Sequence, residues 1–141
     1  MGDFAMWKGE YRTVTDVPAQ KLYDAIADVN NWNKWDEALE FARHDGPAGA
    51  GAKFLLKPKG GPNVTMTIDE MRPFRFVDTA HLLGARMRTT HEYVQRGSDT
   101  EIRFVVEVWG VLGFVWRRVV AENQVKEAPA QIAAFIRYAR A

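Results

Sequence analysis

The sequence contains no cysteine, which excludes disulfides, thiolate nucleophiles and sulfur-ligated zinc or iron–sulfur centres. It has a single serine, Ser98, and the Gly97-Ser98-Asp99 setting suits a turn, leaving serine hydrolysis without a nucleophile. The three histidines, His44, His81 and His91, fall on different predicted strands without metal-motif spacing, so neither a metal nor a cofactor is expected. Neither sign of charge dominates. Nineteen basic and eighteen acidic side chains are interspersed, and the net charge of +1 gives no reason to expect a nucleic acid partner. No apolar run approaches the ~20 residues that cross a bilayer, and the opening segment with Asp3 lacks the apolar stretch of a secretion signal. A cytoplasmic protein without membrane insertion is expected.

What is present suits one domain over residues 1–141. The hydrophobic fraction is 47% and the charged fraction 26%, and Gly and Pro fall singly or in pairs between periodic segments. Phe4 to Thr15 mixes aromatic and β-branched residues with charges, which favours a strand. Asp16 then offers an N-cap and Pro18 a first-turn proline, ahead of Leu22, Ala25, Ile26 and Val29 at helical spacing. Trp32 and Trp35, three apart, would share one side of a second short helix.

From Glu40 to Gly110 short alternating segments are punctuated by turn residues, the texture of an antiparallel meander. Strands are predicted near Glu40–His44, Lys53–Lys57, Asn63–Met71, Phe74–Leu82, Arg86–Arg96 and Thr100–Trp109. In the last, Ile102, Phe104, Val106 and Val108 share one face, and the other is mostly polar. A two-residue Gly97-Ser98 turn sets Tyr93 opposite Ile102, His91 opposite Phe104, Thr89 opposite Val106 and Met87 opposite Val108. Arg86 and Arg88 then point outward. After Gly110, Leu112, Val115, Trp116, Val119 and Val120 recur at helical spacing, and the stripe changes phase at Val125, Ala128, Ile132, Phe135 and Ile136. Pro129 predicts a kink or break near Ala128.

This order resembles the helix-grip order of the START-like, or SRPBCC, superfamily, and most the polyketide cyclase/dehydrase-type branch. The matching stretches are Asp16 to Asp28 with the following Trp32 and Trp35, Ile68 to Pro73, Thr100 to Gly110, and Ala130 to Tyr138. The resemblance implies an α+β helix-grip fold: a curved seven-stranded antiparallel sheet wrapped around a long C-terminal helix, with two short helices after the first strand. It also implies a ligand cavity between sheet and helix.

The expected site is an apolar wall with a few polar groups. Trp35, Phe54, Met66, Ile68, Phe76, Met87, Phe104, Val106, Trp116 and Val120 are candidates for the wall, although core packing alone accounts equally for the aromatics. Thr89, His91 and Tyr93 are the polar candidates, with His91 and Tyr93 the candidates for any catalysis. A core histidine satisfied by one hydrogen bond is the competing account of His91. The carboxylate pairs Asp36-Glu37 and Asp69-Glu70 are adjacent, so each pair diverges and glycosidase chemistry is not expected. Gly60-Gly61-Pro62 lacks the residues of a phosphate loop and reads as a hairpin turn. Three functions follow: binding or carriage of a hydrophobic or aromatic small molecule by a monomer or homodimer, a cofactor-free cyclase/dehydrase-like enzyme, or an interaction module of the heat-shock ATPase activator kind.

Overall fold

The computed structural model describes residues 6–141. The predicted start of the first strand, at Phe4 and Ala5, lies outside the described residues. Strand β1 (Trp7–Thr15) is followed by helix α1 (Ala19–Ala27) and a 3₁₀ turn (Val29–Lys34). Six strands come next: β2 (Leu39–Arg43), β3 (Lys53–Pro58), β4 (Val64–Arg72), β5 (Arg75–Leu82), β6 (Ala85–Arg96) and β7 (Asp99–Trp109). A continuous helical run of 28 residues closes the chain: α2 (Gly113–Trp116), a π turn (Arg117–Ala121) and α3 (Glu122–Arg140).

The strands form one antiparallel sheet in the order β1-β7-β6-β5-β4-β3-β2. Hairpins build it, except that β1 adds to the far side of β7. The architecture is the helix grip expected from the sequence. Arg96 pairs with Asp99 across the Gly97-Ser98 turn, so Tyr93 faces Ile102, His91 faces Phe104, Thr89 faces Val106 and Met87 faces Val108. A turn of fixed length leaves the register no freedom, and the alternation along β7 then decides which face is buried.

That face carries Met66, Ile68, Phe76, Met87, Tyr93, Ile102, Phe104, Val106 and Val108, all buried. Their apolar bulk packs beneath α1, the 3₁₀ turn and α3, and supplies the main drive for folding. On the opposite face, Glu10, Arg103, Glu92, Arg75 and Glu70 stand side by side on β1, β7, β6, β5 and β4 and form a ladder of ion pairs 2.9–3.5 Å long. Beneath these side chains Val77, Thr90 and Val105 are shielded from water. Arg72 and Arg75 hold Glu70 below the usual carboxylate range in spite of its partial burial. Hydrogen bonds from Arg12 and Arg103 do the same for Glu10.

Three local expectations are corrected. Helix α1 begins at Ala19 behind Pro18, so Asp16 is not its cap; the Asp16 carboxylate instead meets Arg140 Nη1 at 2.7 Å. The terminal helix does not break near Ala128 but runs through Pro129. The proline is exposed, and there the carbonyl it leaves without a partner can be hydrated. The stripe of Val115 and Val119 is not core: these residues are 39% and 64% exposed. The change of phase is absorbed by the π turn, whose extra residue puts Trp116 and Ala121, five apart, on the side toward the sheet. From there Ala128, Ile132, Phe135 and Ala139 form the buried stripe.

The strand-to-helix corner depends on Gly110. Its φ is +116°, and a Cβ there would lie 2.6 Å from the Gly84 carbonyl oxygen and 2.7 Å from Ala85 Cα. Only glycine fits that crossing.

Candidate functional site

A cavity lies between the β6–β7 part of the sheet and α3. Ile26 of α1, Trp35, Ile102, Phe104, Ile132 and Phe135 supply its apolar lining, and His91, Tyr93, Gln131 and Arg103 the rest. Its volume is about 10 Å³. That is near the ~10–15 Å³ needed to admit one water molecule. The space is no larger than one water molecule, so room for the expected guest is not found in this conformation.

Its walls are an aromatic cluster. Phe135 meets Trp35 edge-on at 4.8 Å and stacks on Tyr93 at 6.1 Å. Trp32 lies 6.1 Å from Trp35, as their spacing in sequence predicts, and meets Phe54 and Phe76 at 5.4 and 5.7 Å. The His91 ring sits 5.6 Å from Phe104, 6.2 Å from Phe76 and 6.5 Å from Trp32.

The polar groups within this shell are short of partners. Trp35 Nε1 is buried without a hydrogen bond. Among the described residues neither the His91 ring nor the Tyr93 hydroxyl makes a hydrogen bond, so the single satisfying bond of a core histidine is not found. Burial pushes His91 down to about 4 and Tyr93 well above the usual phenol range. Both are neutral near pH 7. On the helix side Gln131 Nε2 donates to Asp36 Oδ2 at 3.0 Å. Burial raises the Asp36 carboxyl although that bond and the Ala38 N–H work against it.

Of the candidates from sequence, the structure brings Trp35, His91, Tyr93 and Phe104 together around the cavity. Phe54, Met66, Ile68, Phe76, Met87, Thr89 and Val106 are buried on the same inward face. Trp116 and Val120 lie apart, on the first turns of the terminal helix and only partly buried; Trp116 Nε1 donates to the Leu83 carbonyl at 2.8 Å. Gln131, Ile132 and Phe135 were missed as lining because the helix phase was read through Pro129. Asp78 was missed altogether. It occupies the inward position between Phe76 and Ala80 and faces Thr89 and Ile68 across the strands. It is 2% exposed, and its Oδ1 has no partner. Desolvation, aided by the Asp69 charge, pushes it up to about 8. An acidic residue at an inward position of an otherwise apolar strand was the available signal.

A broad groove of about 390 Å³ lies on the outer face of the sheet, between Thr67, Asp69, Thr79, His81, Arg86, Arg88 and Trp109. As predicted, Arg86 and Arg88 are on this outward face, and Arg88 pairs with Glu107 at 3.1 Å. The groove is open to solvent and, apart from Trp109, is lined by polar and charged residues, so the cavity under α3 is the better candidate for holding an apolar guest. Among the described residues no group of three acidic or histidine side chains is arranged to hold a metal ion. No described helix is long and apolar enough to cross a membrane.

Comparison with known proteins agrees with this architecture. The sequence profile of the family described as polyketide cyclase/dehydrase and lipid transport matches residues 6–138. No curated protein matches the sequence. Among solved structures, a hypothetical protein from Helicobacter pylori superposes with a TM-score of 0.78 at 11% identity, over 96% of this chain and 89% of that one. The Zhui aromatase/cyclase from Streptomyces sp. R1128 gives 0.75 at 12% identity, over 95% and 93%. A START superfamily protein from Mycobacterium smegmatis gives 0.68 at 10% identity, over 92% and 93%. At these identities the structural likenesses show the fold.

Proposed function

We propose, from the premise that the chain belongs to the polyketide cyclase/dehydrase and lipid transport family, that it binds or carries an uncharged hydrophobic or aromatic small molecule between the sheet and α3. Family and fold support a hydrophobic-ligand domain or a cyclase-like role. The observation that carries the choice is Trp35 Nε1, a buried polar group without a partner in the aromatic shell, beside the His91 ring and the Tyr93 hydroxyl, which make no hydrogen bond among the described residues. Buried polar groups are nearly always hydrogen-bonded, and leaving one unsatisfied costs about 1–3 kcal/mol. A guest carrying hydrogen-bonding atoms offsets that cost. The same groups speak against the cyclase/dehydrase reading: a histidine near 4 and a phenol raised far above neutrality are poorly matched to proton transfer at pH 7.

The test is native mass spectrometry of freshly purified protein for a bound small molecule, followed by calorimetric titration with a naphthyl ketone. His91→Phe keeps the ring packing and removes both nitrogens. It should weaken binding by about fivefold to tenfold, the worth of one hydrogen bond, without lowering the melting temperature. An unaltered affinity removes His91 from the site.

A second reading, an interaction module, has one observation in its favour. Leu83, Val111, Phe114, Val115 and Val119 are exposed at the end where the β5–β6 hairpin meets the start of the terminal helix, with Leu83 at 78% and Val111 at 84%. Replacing Val111 and Phe114 by serine would abolish self-association or partner capture on that reading. On the ligand-binding reading those replacements leave the affinity for the ketone unchanged.

A further inference from the structure

Beneath the cavity the inward face of the sheet carries a row of polar positions in an apolar field. His91 and Thr89 are successive inward residues of β6, and Asp78 stands opposite Thr89 on β5. Asp78 and His91 are therefore diagonal neighbours, within reach of one small molecule. Around them lie Ile68, Phe76, Ala80, Met87 and Val106, all buried. No ion pair reaches Asp78 among the described residues, and its Oδ1 is sealed from water without a partner. A fold has no use for such a carboxyl: an apolar residue of its size would pack there at no desolvation cost.

We infer that Asp78 is the inner anchor of the ligand site, donating a hydrogen bond to the carbonyl or hydroxyl oxygen of an uncharged guest whose apolar body lies among Trp35, Phe104 and Phe135. This rests on the ligand-binding reading and gives it a ligand class. The guest enters along the cavity beside His91 and Tyr93 and, as it displaces the packing, reaches the next row of the sheet. An anionic guest is disfavoured by a carboxyl at the inner end, and a neutral carboxyl is a donor suited to an acceptor oxygen. The direction of its titration agrees, since burial holds the proton on Asp78 at neutral pH.

The experiment compares three probes of nearly equal size: 6-propionyl-2-(dimethylamino)naphthalene, its parent 6-propyl-2-(dimethylamino)naphthalene with a methylene in place of the carbonyl, and 6-propyl-2-(aminomethyl)naphthalene, a cation at pH 7. The wild-type chain should bind the ketone about tenfold more tightly than the parent. Asp78→Leu should keep the affinity for the parent, lose the preference for the ketone and shift the emission of the bound ketone to the blue as its hydrogen bond is lost. Asp78→Asn, which keeps a donor there, should retain most of the preference. Asp78→Leu should melt ~3 °C or more above the wild type, because an unpartnered buried group has been removed, and Asp78→Asn, which keeps a buried polar group, should melt near the wild-type temperature at pH 7. An Asp78→Leu protein that keeps the ketone preference overturns the inference while leaving the ligand-binding reading intact. So does one that melts lower or fails to fold, for Asp78 is then structural. Preference of the wild type for the ammonium probe overturns the uncharged class. Failure of every probe to bind the wild type sinks the ligand-binding reading itself.

Discussion

Asp78 and His91 give the folding stability opposite slopes with pH. Asp78 titrates near 3.9 in an unfolded chain and at about 8 here, so between those values the folded protein holds a proton that the unfolded chain has released. Stability falls with rising pH across that window by up to ~1.4 kcal/mol per unit and levels off above 8. His91 works the other way: its depressed value of about 4, against ~6.5 unfolded, means that stability rises with pH between 4 and 6.5. His81 is also lowered, by burial first and then by Arg86 and Lys53, so it too acts on the acid side. From pH 6.5 to 8 the Asp78 slope is left without opposition from these histidines. The urea midpoint of the wild type should decline over that range by the equivalent of ~2 kcal/mol, and that of Asp78→Asn should not. A flat wild-type profile would mean that Asp78 is ionised in the folded state.

His91 and Tyr93 were legible in the sequence as inward groups because Gly97-Ser98 fixes a two-residue turn, and every facing assignment on β6 and β7 then follows by counting. Asp78 follows by the same counting across the two-residue Leu83-Gly84 turn, which sets it opposite Thr89, but its strand offers no pattern of its own to check the count. Its strand, Arg75–Leu82, is buried on both faces over most of its length, with Val77 and Thr79 covered as well as Phe76 and Ala80, so alternation did not distinguish in from out. The Asp69 bulge added to this by shifting the register between Ile68 and Glu70.

Strands β2 to β7 were predicted to within a residue of their observed ends, and β1 begins at Trp7, its predicted start at Phe4 lying outside the described residues, whereas the terminal helix departs from expectation in two places. Both errors have one cause. Helical periodicity reports a stripe only while the turn stays at 3.6 residues, and the π turn at Arg117–Ala121 inserts a residue that no sequence rule marks. The change of phase lies upstream of Pro129, through which the helix runs unbroken. The two accounts make different predictions for single-residue deletions. Removing Val119, exposed and within the π turn, converts that turn to ordinary α-helix and keeps both flanking faces, so melting should change by less than ~1 kcal/mol in stability. Removing Ala130 rotates Ile132, Phe135 and Ala139 about 100° out of the core, and losses of ~3–5 kcal/mol for each large side chain should leave the protein unfolded. Equal damage from the two deletions would mean that the π turn is a required joint and not an accommodated insertion.

At the scale of the molecule, the sheet, α1 and α3 enclose an interior that is almost full, yet the ligand-binding reading needs a cavity. Pockets that hold small molecules usually measure ~300–1,000 Å³, far above the room found here beside His91 and Tyr93. A guest of two fused rings therefore requires α3 or the 3₁₀ turn to move away from the sheet, and its apparent affinity is the intrinsic one reduced by the fraction of molecules that are open. Phe135 is the side chain to change. It stands between Trp35 and Tyr93 at the centre of the contact, and Phe135→Leu removes volume from the cavity wall at an expected cost of ~1–2 kcal/mol in stability. Less stable, this variant should nevertheless bind the naphthyl ketone several-fold more tightly, because less of the binding energy is spent on opening. Stopped-flow mixing separates the two forms further. If opening precedes binding in the wild type, its observed rate should level off at high probe concentration, while that of Phe135→Leu should keep rising. A wild-type rate that climbs linearly at a diffusion-like slope, with no gain in the variant, would show that the site lies open somewhere other than against α3.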